Sequence, residues 1–564
     1  EELLSKPFSP GAIANLITAE GIKLSTPLPD FLGLLIEKAH TWTEADFGEG
    51  YWIDHWTYLL DLIQTYLALY PEALTQLLST DQTYTFYDSG VKILPRSKKY
   101  VLTGDGPRQT AALSVDPAKT EMIEARADFP HAVRAEKGHG EIYRTNLLGI
   151  LFTLVLNKLS SLDPCGVGLE MEAGKPGWYD AMNGLPGLFG SATPETMELL
   201  RLVRFLDQAL TQLATGAASA GGQFALAVPT EIYDFYQGLA QLLTAEVSAA
   251  DLPDRQSCLH TNRPAPEAAL KYWAAASTLR EQYRETVFFG FAGTEQKIAG
   301  TDLHAFFRKA AVKLETAVAA ANNRENGLFD TYYTNLPVEY RLTGELSPDG
   351  LPYLEATAFS HHPLPLFLEG QVRALKILDN REAAQRLHEN IARSPLYDQT
   401  LEMYRVNADL SSEPFTIGRA RAFSPGWLEN GSIWLHMEYK YLLALLQSGL
   451  IDEFYGAAQS TLIPYLNPEV YGRSILENSS FILSSVNQDQ DNHGRGYIAR
   501  LSGSTAEFLS IWAFLSFGAQ PFRWEETKLC FAPQPFLRSD FFTVEPQEVK
   551  FQFSPTHSET LNFP

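Results

Sequence analysis

Cysteine is scarce: Cys165, Cys258 and Cys530 are the only three in 564 residues, odd in number and widely spaced. That excludes a disulfide framework or a cysteine metal site and fits a reducing, cytoplasmic setting. Basic residues are also short, 44 Lys and Arg against 67 Asp and Glu, for a net charge of −23. Such a balance argues against nucleic acid or an anionic membrane as partner, while leaving room for a small phosphate in a local basic pocket. No apolar run reaches the length of a membrane span, and no charged-then-apolar leader opens the chain. The chain starts at Glu1 rather than Met, so the expectation is a piece of a longer protein. Nucleotide loops of the Gly-x-Gly-x-x-Gly or Gly-Lys-Ser/Thr kind are missing, as is a Gly-x-Ser-x-Gly elbow. His361-His362 lacks a third ligand at useful spacing, and the stretch from Asp489 to Asp491 breaks the calcium-loop pattern at Asn492. No metal or organic cofactor is expected.

What the chain does have is core material and helical periodicity. Apolar residues make up 45% and charged residues 20%, an ordinary globular balance. Apolar positions recur at three- and four-residue spacing over 32–39, 58–69, 141–159, 194–213, 231–243, 266–283, 303–320, 364–377, 381–391, 432–447, 451–463 and 505–516. Thr193 before Pro194 and Glu195 reads as a helix cap. About a dozen helices joined by long Gly/Pro/aromatic loops, with few convincing strands between them, predict a mainly α toroid of paired helices with its loops gathered as a site. Residues 92–124 read as loop and strand, and alternation after Phe531 predicts a small β segment. The expected division is 1–525 for the helical domain and 526–564 for that segment.

Four loop segments carry candidate chemistry. In Gly177-Trp-Tyr-Asp-Ala-Met-Asn183, Asp180 sits among glycines, Trp178 and Tyr179. Aromatic faces suit a pyranose ring, and a carboxyl group can protonate a glycosidic oxygen; a plain surface turn is the alternative. Asp54 and His55 lie between Trp52 and Trp56, either a sugar subsite or a capped helix start with core tryptophans. Glu429 and Asn430 end a loop just before His436, a residue that taken alone reads as a hydrogen-bonded core histidine. Six of the nine tryptophans, Trp42 included, fall in or near these three segments, more than scattered core residues would place there. The fourth segment holds Arg495, Arg500 and the turn Ser502-Gly503-Ser504, where small residues open a helix as an anion site or an ordinary cap.

In this order the segments resemble the catalytic domain of the inverting cellobiose phosphorylase family, whose members act on cellobiose and on cellodextrins, laminari- and sophoro-oligosaccharides. Gly177-Trp-Tyr-Asp-Ala-Met-Asn183 is similar to its acid loop, which implies general-acid duty for Asp180 and substrate contacts for Trp178, Tyr179 and Asn183. Glu429-Asn-Gly-Ser-Ile-Trp-Leu-His436 is similar to its Glu-Asn-Gly segment, implying sugar contacts for Glu429 and Asn430 and a phosphate contact for His436. Arg495, Ser502, Gly503 and Ser504 match its remaining phosphate motifs, and Trp52 and Asp54 stand at its donor-sugar stretch, where Ile53 replaces an arginine. Gly177 likewise departs from that family's aspartate.

The resemblance implies an (α/α)6 six-hairpin barrel that lacks the family's N-terminal β-sandwich. The implied reaction splits β-linked gluco-oligosaccharides with inorganic phosphate as co-substrate, and a homodimer is conceivable in a longer protein. Trp178 and Tyr179 are expected to desolvate Asp180 and keep it protonated. The competing expectations are an inverting hydrolase or transglycosylase using Glu429 to activate water, and a catalytically silent sugar-binding protein.

Overall fold

The computed structural model describes residues 8–39, 53–219, 223–247, 265–474, 476–499, 502–526, 528–542, 544–545, 547–554 and 557–563. Two compact units divide the chain, residues 1–50 and 51–564. The first holds α1 (Pro10–Ala19), capped by Ser9 through the Ala12 N–H (3.1 Å), and α2 (Leu28–Lys38). Trp42 and Trp52 lie outside the described residues.

The second unit is about half helical with several small sheets, so the mainly α expectation holds only in part. All eleven of its sequence-predicted helices are present. They are α3 (Ile53–Leu69), α5 (Leu147–Leu159), α6 (Thr193–Ser219), α7 (Thr230–Val247), α8 (Glu267–Val287) and α9 (Gly300–Ala321), then α10 (Leu368–Leu375), α11 (Arg381–Ala392), α12 (Leu435–Gln447), α13 (Ile451–Thr461) and α15 (Ser502–Phe517). Among the described residues two helices of this unit were not foreseen, α4 (Pro117–Glu124), capped by Asp116, and the single turn α14 (Pro468–Tyr471). Thr193 is helical itself rather than a cap, and its hydroxyl donates to the Asp330 carbonyl (2.7 Å). In α5 the buried residues run all round the helix, because it packs against both α6 and α7.

The helices form a connected series. α3 packs on α6, α6 on α10, α10 on α12 and α12 on α15. The Tyr58 hydroxyl of α3 then donates to Glu507 Oε1 of α15 at 2.9 Å, which joins the two ends of the series. α9 packs on α6, and α7 packs on α8. Two apolar clusters fill the interior. One centres on α5, α6, α7 and α9, the other on α10 to α13 and the buried face of α15.

The expectation of few strands ahead of the C-terminal segment fails, most plainly at one long hairpin. β9 (Tyr332–Leu346) and β10 (Pro352–Pro363) form a long antiparallel hairpin inside a six-stranded sheet ordered β3-β2-β10-β9-β6-β5. Its other members are the short strands β2 (Tyr100–Thr103), β3 (Gly106–Gln109), β5 (Leu169–Glu170) and β6 (Ser191–Ala192). The signals were in the chain: Val338-Glu-Tyr-Arg-Leu-Thr343 alternates, and Ser347-Pro-Asp-Gly350 is a turn whose Gly350 has φ +77°. Four helices start directly off a strand: α6 from β6, α7 from β7 (Ala225–Pro229), α9 from β8 (Glu295–Ala299) and α12 from β13 (Ile433–Trp434). Near the C-terminus, Phe522–Glu525 pairs with Lys528–Phe531, and Gln547–Ser554 pairs with His557–Phe563. The expected strand at Phe541 is instead the end of a 3₁₀ turn.

Candidate active site

Asp180 stands on a one-turn 3₁₀ segment, Asp180–Met182, in a loop anchored from below. Tyr179, Ala181, Met182 and Leu185 of this loop pack with Ile417 and Ala420 from a second loop, and with Tyr332 and Phe367, in an apolar cluster of their own. The two loops interlock where no Cβ fits: one on Gly184 would lie 2.0 Å from the Thr416 carbonyl oxygen, and one on Gly418 (φ +137°) 2.6 Å from that of Ala181. Asn183 Oδ1 completes the seam by accepting the Arg419 backbone N–H at 3.0 Å.

That seam delivers Arg419 to the site. Its Nη2 lies 2.9 Å from Asp180 Oδ2 and 3.6 Å from Glu429 Oε1, so one guanidinium bridges two carboxylates from separate loops. The two acids have unlike surroundings. The Asp180 side chain is 52% exposed and that of Glu429 15%. Burial pushes the Glu429 carboxyl above its ordinary pKa, against the pull of Arg419. The shielding expected for Asp180 from its aromatic neighbours is not what is found. Trp178 is half-buried, and Tyr179 is buried beneath the loop.

Tyr179 has a different task. Its hydroxyl, with one proton to give, sits between Asn407 Oδ1 (3.0 Å) and the Glu429 carbonyl oxygen. Asn407 is fully buried, and its Oδ1 also accepts from the Gly431 N–H at 3.0 Å. Tyr179 and Asn407 thus tie the Asp180 loop to the Glu429 loop. Asn430 stays within that second loop, its Nδ2 donating to the Phe423 carbonyl at 2.7 Å. Sequence reading missed Arg419 and Asn407; the signal for the first was Gly418-Arg-Ala-Arg421, a basic pair in an acidic chain just ahead of the Pro425-Gly-Trp427 turn.

Beside Trp178 lies a second group. His436, in the first turn of α12, meets the Trp178 ring edge-on with centroids 5.7 Å apart. Its ring presses on Gly503, where a Cβ would come within 2.6 Å of it. His436 Nε2 stands 3.8 Å from Glu507 Oε1. Burial acts to raise the Glu507 pKa, but His436, Lys440 and Tyr58 outweigh it and hold the carboxyl below its usual value. Lys440 Nζ lies over the rings of Tyr58 (5.0 Å) and Trp178 (6.0 Å). Ser504 is fully buried near the start of α15.

The structure brings Asp180, Asn183 and Glu429 to Arg419, ties Tyr179 to the Glu429 carbonyl, keeps Asn430 within the Glu429 loop, and sets His436 against Trp178 and Gly503. Arg495 is elsewhere, its guanidinium against Gly472 and donating to Asn492 Oδ1 (3.4 Å). Asp54 belongs to α3 by its backbone, but its side chain, like that of Ser502 and like Arg500, lies outside the described residues. Trp56 is 2% exposed in the core, as the capped-helix reading expected. His361 is also a core residue, stacked on Tyr333 (4.2 Å) with Nδ1 2.5 Å from Asn335 Oδ1. Among the described residues no group of three or more His, Cys, Asp or Glu side chains could hold a metal ion, and no helix is long and apolar enough to cross a membrane.

No protein-family model and no curated relative matches the chain. Among solved structures, a GH63 mannosylglycerate hydrolase from Thermus thermophilus, in complex with glucose, aligns over 70% of this chain and 98% of its own at 12% identity and a TM-score of 0.22. The same hydrolase in complex with Tris aligns at 11% identity, and an uncharacterized conserved protein from Thermus thermophilus at 12%, each with a TM-score of 0.22 and the same coverage. Scores this low bear on neither fold nor function, so the functional reading rests on the geometry around Arg419.

Proposed function

We propose that the protein hydrolyses glycosidic bonds, Asp180 acting as general acid and Glu429 as general base toward water. The supporting observation is the sharing of Arg419 by these two carboxylates, one half exposed and one largely shielded. Hydrolysis by paired acids requires one carboxyl group to protonate the departing oxygen while the other assists the nucleophile. Glu429 suits the second task, since burial raises its pKa and makes its anion the stronger base. Asp180 suits the first, because its half-exposed carboxyl is open to a docked sugar's departing oxygen. Arg419 holds the pair in place and offsets their mutual repulsion. The helix series joined end to end by Tyr58 and Glu507 is read as an (α/α)6 barrel carrying this site, with β-linked gluco-oligosaccharides as the substrate class.

Phosphorolysis is the second reading, favoured by the contact of His436 with Gly503 at the start of α15, where the family resemblance puts phosphate. Glu507 weighs against it, since a carboxylate held ionised 3.8 Å from His436 repels an incoming phosphate. The test is product analysis of β-1,2-, β-1,3- and β-1,4-linked gluco-oligosaccharides with and without inorganic phosphate. Phosphate-independent shortening that is lost in Glu429→Gln supports hydrolysis. Sugar 1-phosphate that requires added phosphate and survives Glu429→Gln transfers the assignment to phosphorolysis. Binding without turnover in either condition identifies a silent sugar-binding protein.

A further inference from the structure

The turn that carries Glu429 is bent in a way its own residues resist. The Asn430 N–H donates to the Trp427 carbonyl (3.1 Å) and the Gly426 N–H to the Asn430 carbonyl (2.7 Å), so Leu428 and Glu429 form the tip of a tight turn. Leu428 there has φ +49°, in the left-handed region. That region crowds a side chain's Cβ against the backbone, and for a bulky residue it is a genuine outlier. The flanking left-handed positions hold residues that suffer no such crowding, Gly426 (φ +80°) and Gly431 (φ +72°). Packing does not demand a leucine at 428 either: its side chain is half-buried and belongs to none of the four apolar clusters.

Strain of this kind persists only where the surroundings hold it in place. Here every carbonyl from Trp427 to Gly431 is tied down. Besides the two bonds that close the turn, the Leu428 carbonyl accepts from the Ser432 hydroxyl, the Glu429 carbonyl from the Tyr179 hydroxyl, and the Gly431 carbonyl from the Ser484 hydroxyl (2.6 Å). Ser432 and Ser484 are both fully buried, and each gives its one proton to this turn. Backbone strain held from several sides is concentrated where a side chain must be presented in one direction. The side chain presented at this tip is the Glu429 carboxylate, 3.6 Å from the Arg419 guanidinium.

On the reading that makes Glu429 the base, we propose that Leu428 is a positioning residue: its left-handed backbone aims the Glu429 carboxylate at the reacting centre, and the Ser432 and Ser484 hydroxyls are the restraints that keep the turn from relaxing. Ser432→Ala frees the Leu428 carbonyl and lets the turn relax, so kcat on the β-linked gluco-oligosaccharides is expected to fall about tenfold or more with KM unchanged. Amide exchange at Asn430, whose N–H closes the turn, is expected to quicken in the same variant. Leu428→Gly removes the strain itself. Added to Ser432→Ala, it is expected to recover most of the lost turnover and to slow Asn430 exchange again, a rescue that a serine with a merely structural role would not show. Ser484→Ala, with and without Leu428→Gly, repeats the comparison where Ser432→Ala fails to fold. Wild-type turnover and exchange in the serine variants overturn the proposal, as does a double variant no better than the single. Glu429→Gln separates the two readings. Full turnover in it removes the base and the positioning task together, whereas its loss of turnover beside full turnover in Ser432→Ala removes the positioning role alone.

Discussion

Arg419 faces two carboxylates at once, and removing it has a signed consequence. Its charge lowers the Glu429 pKa against the upward push of burial. In Arg419→Ala that opposition is gone and the pKa rises further. If Glu429 must be ionised to act, the acidic limb of the pH–rate profile moves to higher pH; a limb that stays put or moves down rules out Glu429 as the base. A second glutamate makes a stability prediction. Glu438 is fully buried on α12, accepting from the Tyr404 N–H (2.8 Å) and Thr461 Oγ1 (3.2 Å), and burial raises its pKa from 4.5 to about 8. Its folded-state pKa exceeds the unfolded value, so its contribution is fully present below pH 4.5 and is lost as pH rises to about 8. That loss is on the order of a few kcal/mol. Glu438→Gln keeps an acceptor without the charge, so its melting temperature is expected to gain on the wild type steadily between pH 5 and 8.

At the scale of elements, α6 and α10 are joined by a buried ion pair. Arg373 Nη1 lies 3.0 Å from Glu198 Oε1, and both side chains are 1% exposed. Burial opposes the Glu198 charge, yet Lys376, Arg373 and Arg201 bring its pKa down to about 2. Removing one partner strands the other charge, so Arg373→Met is expected to cost about 3–5 kcal/mol in urea unfolding. The junction of α12 and α15 depends on shape as well as charge. Gly503→Ala drives a methyl into the His436 ring, a clash expected to cost about 1–3 kcal/mol. Because His436 touches Trp178, the variant should also lower turnover beyond its effect on stability, measured well below its melting temperature. Unchanged turnover would place His436 outside the working site.

Over the whole molecule, the hydrogen bond from Tyr58 to Glu507 joins helices 449 residues apart. Tyr58→Phe leaves the buried Glu507 without one donor, at an expected cost of about 1 kcal/mol. If the bond closes the helix series, amide exchange should quicken in α3 and α15 together; faster exchange in one helix alone would mean a local contact.

The helices were legible in the sequence because each is written as a local pattern, apolar residues every third or fourth position, and that pattern survives whatever the helix packs against. The Asp180 and Glu429 loops were legible for a similar reason: glycine, proline and tryptophan crowd around a carboxylate within a few residues. The β9–β10 hairpin was passed over although Tyr340 and Leu342 alternate with charges, because its edge is exposed and mimics a polar loop. Arg419 and Asn407 could not be assigned from the chain. Each gains its meaning from partners far away in sequence, Asp180 for one and Tyr179 for the other. The sequence by itself determined where helices form and which loops carry acids, since both follow from short-range chemistry. Only the tertiary structure decided which acid is buried and which cation they share, because burial and charge pairing depend on through-space distances that local order does not encode.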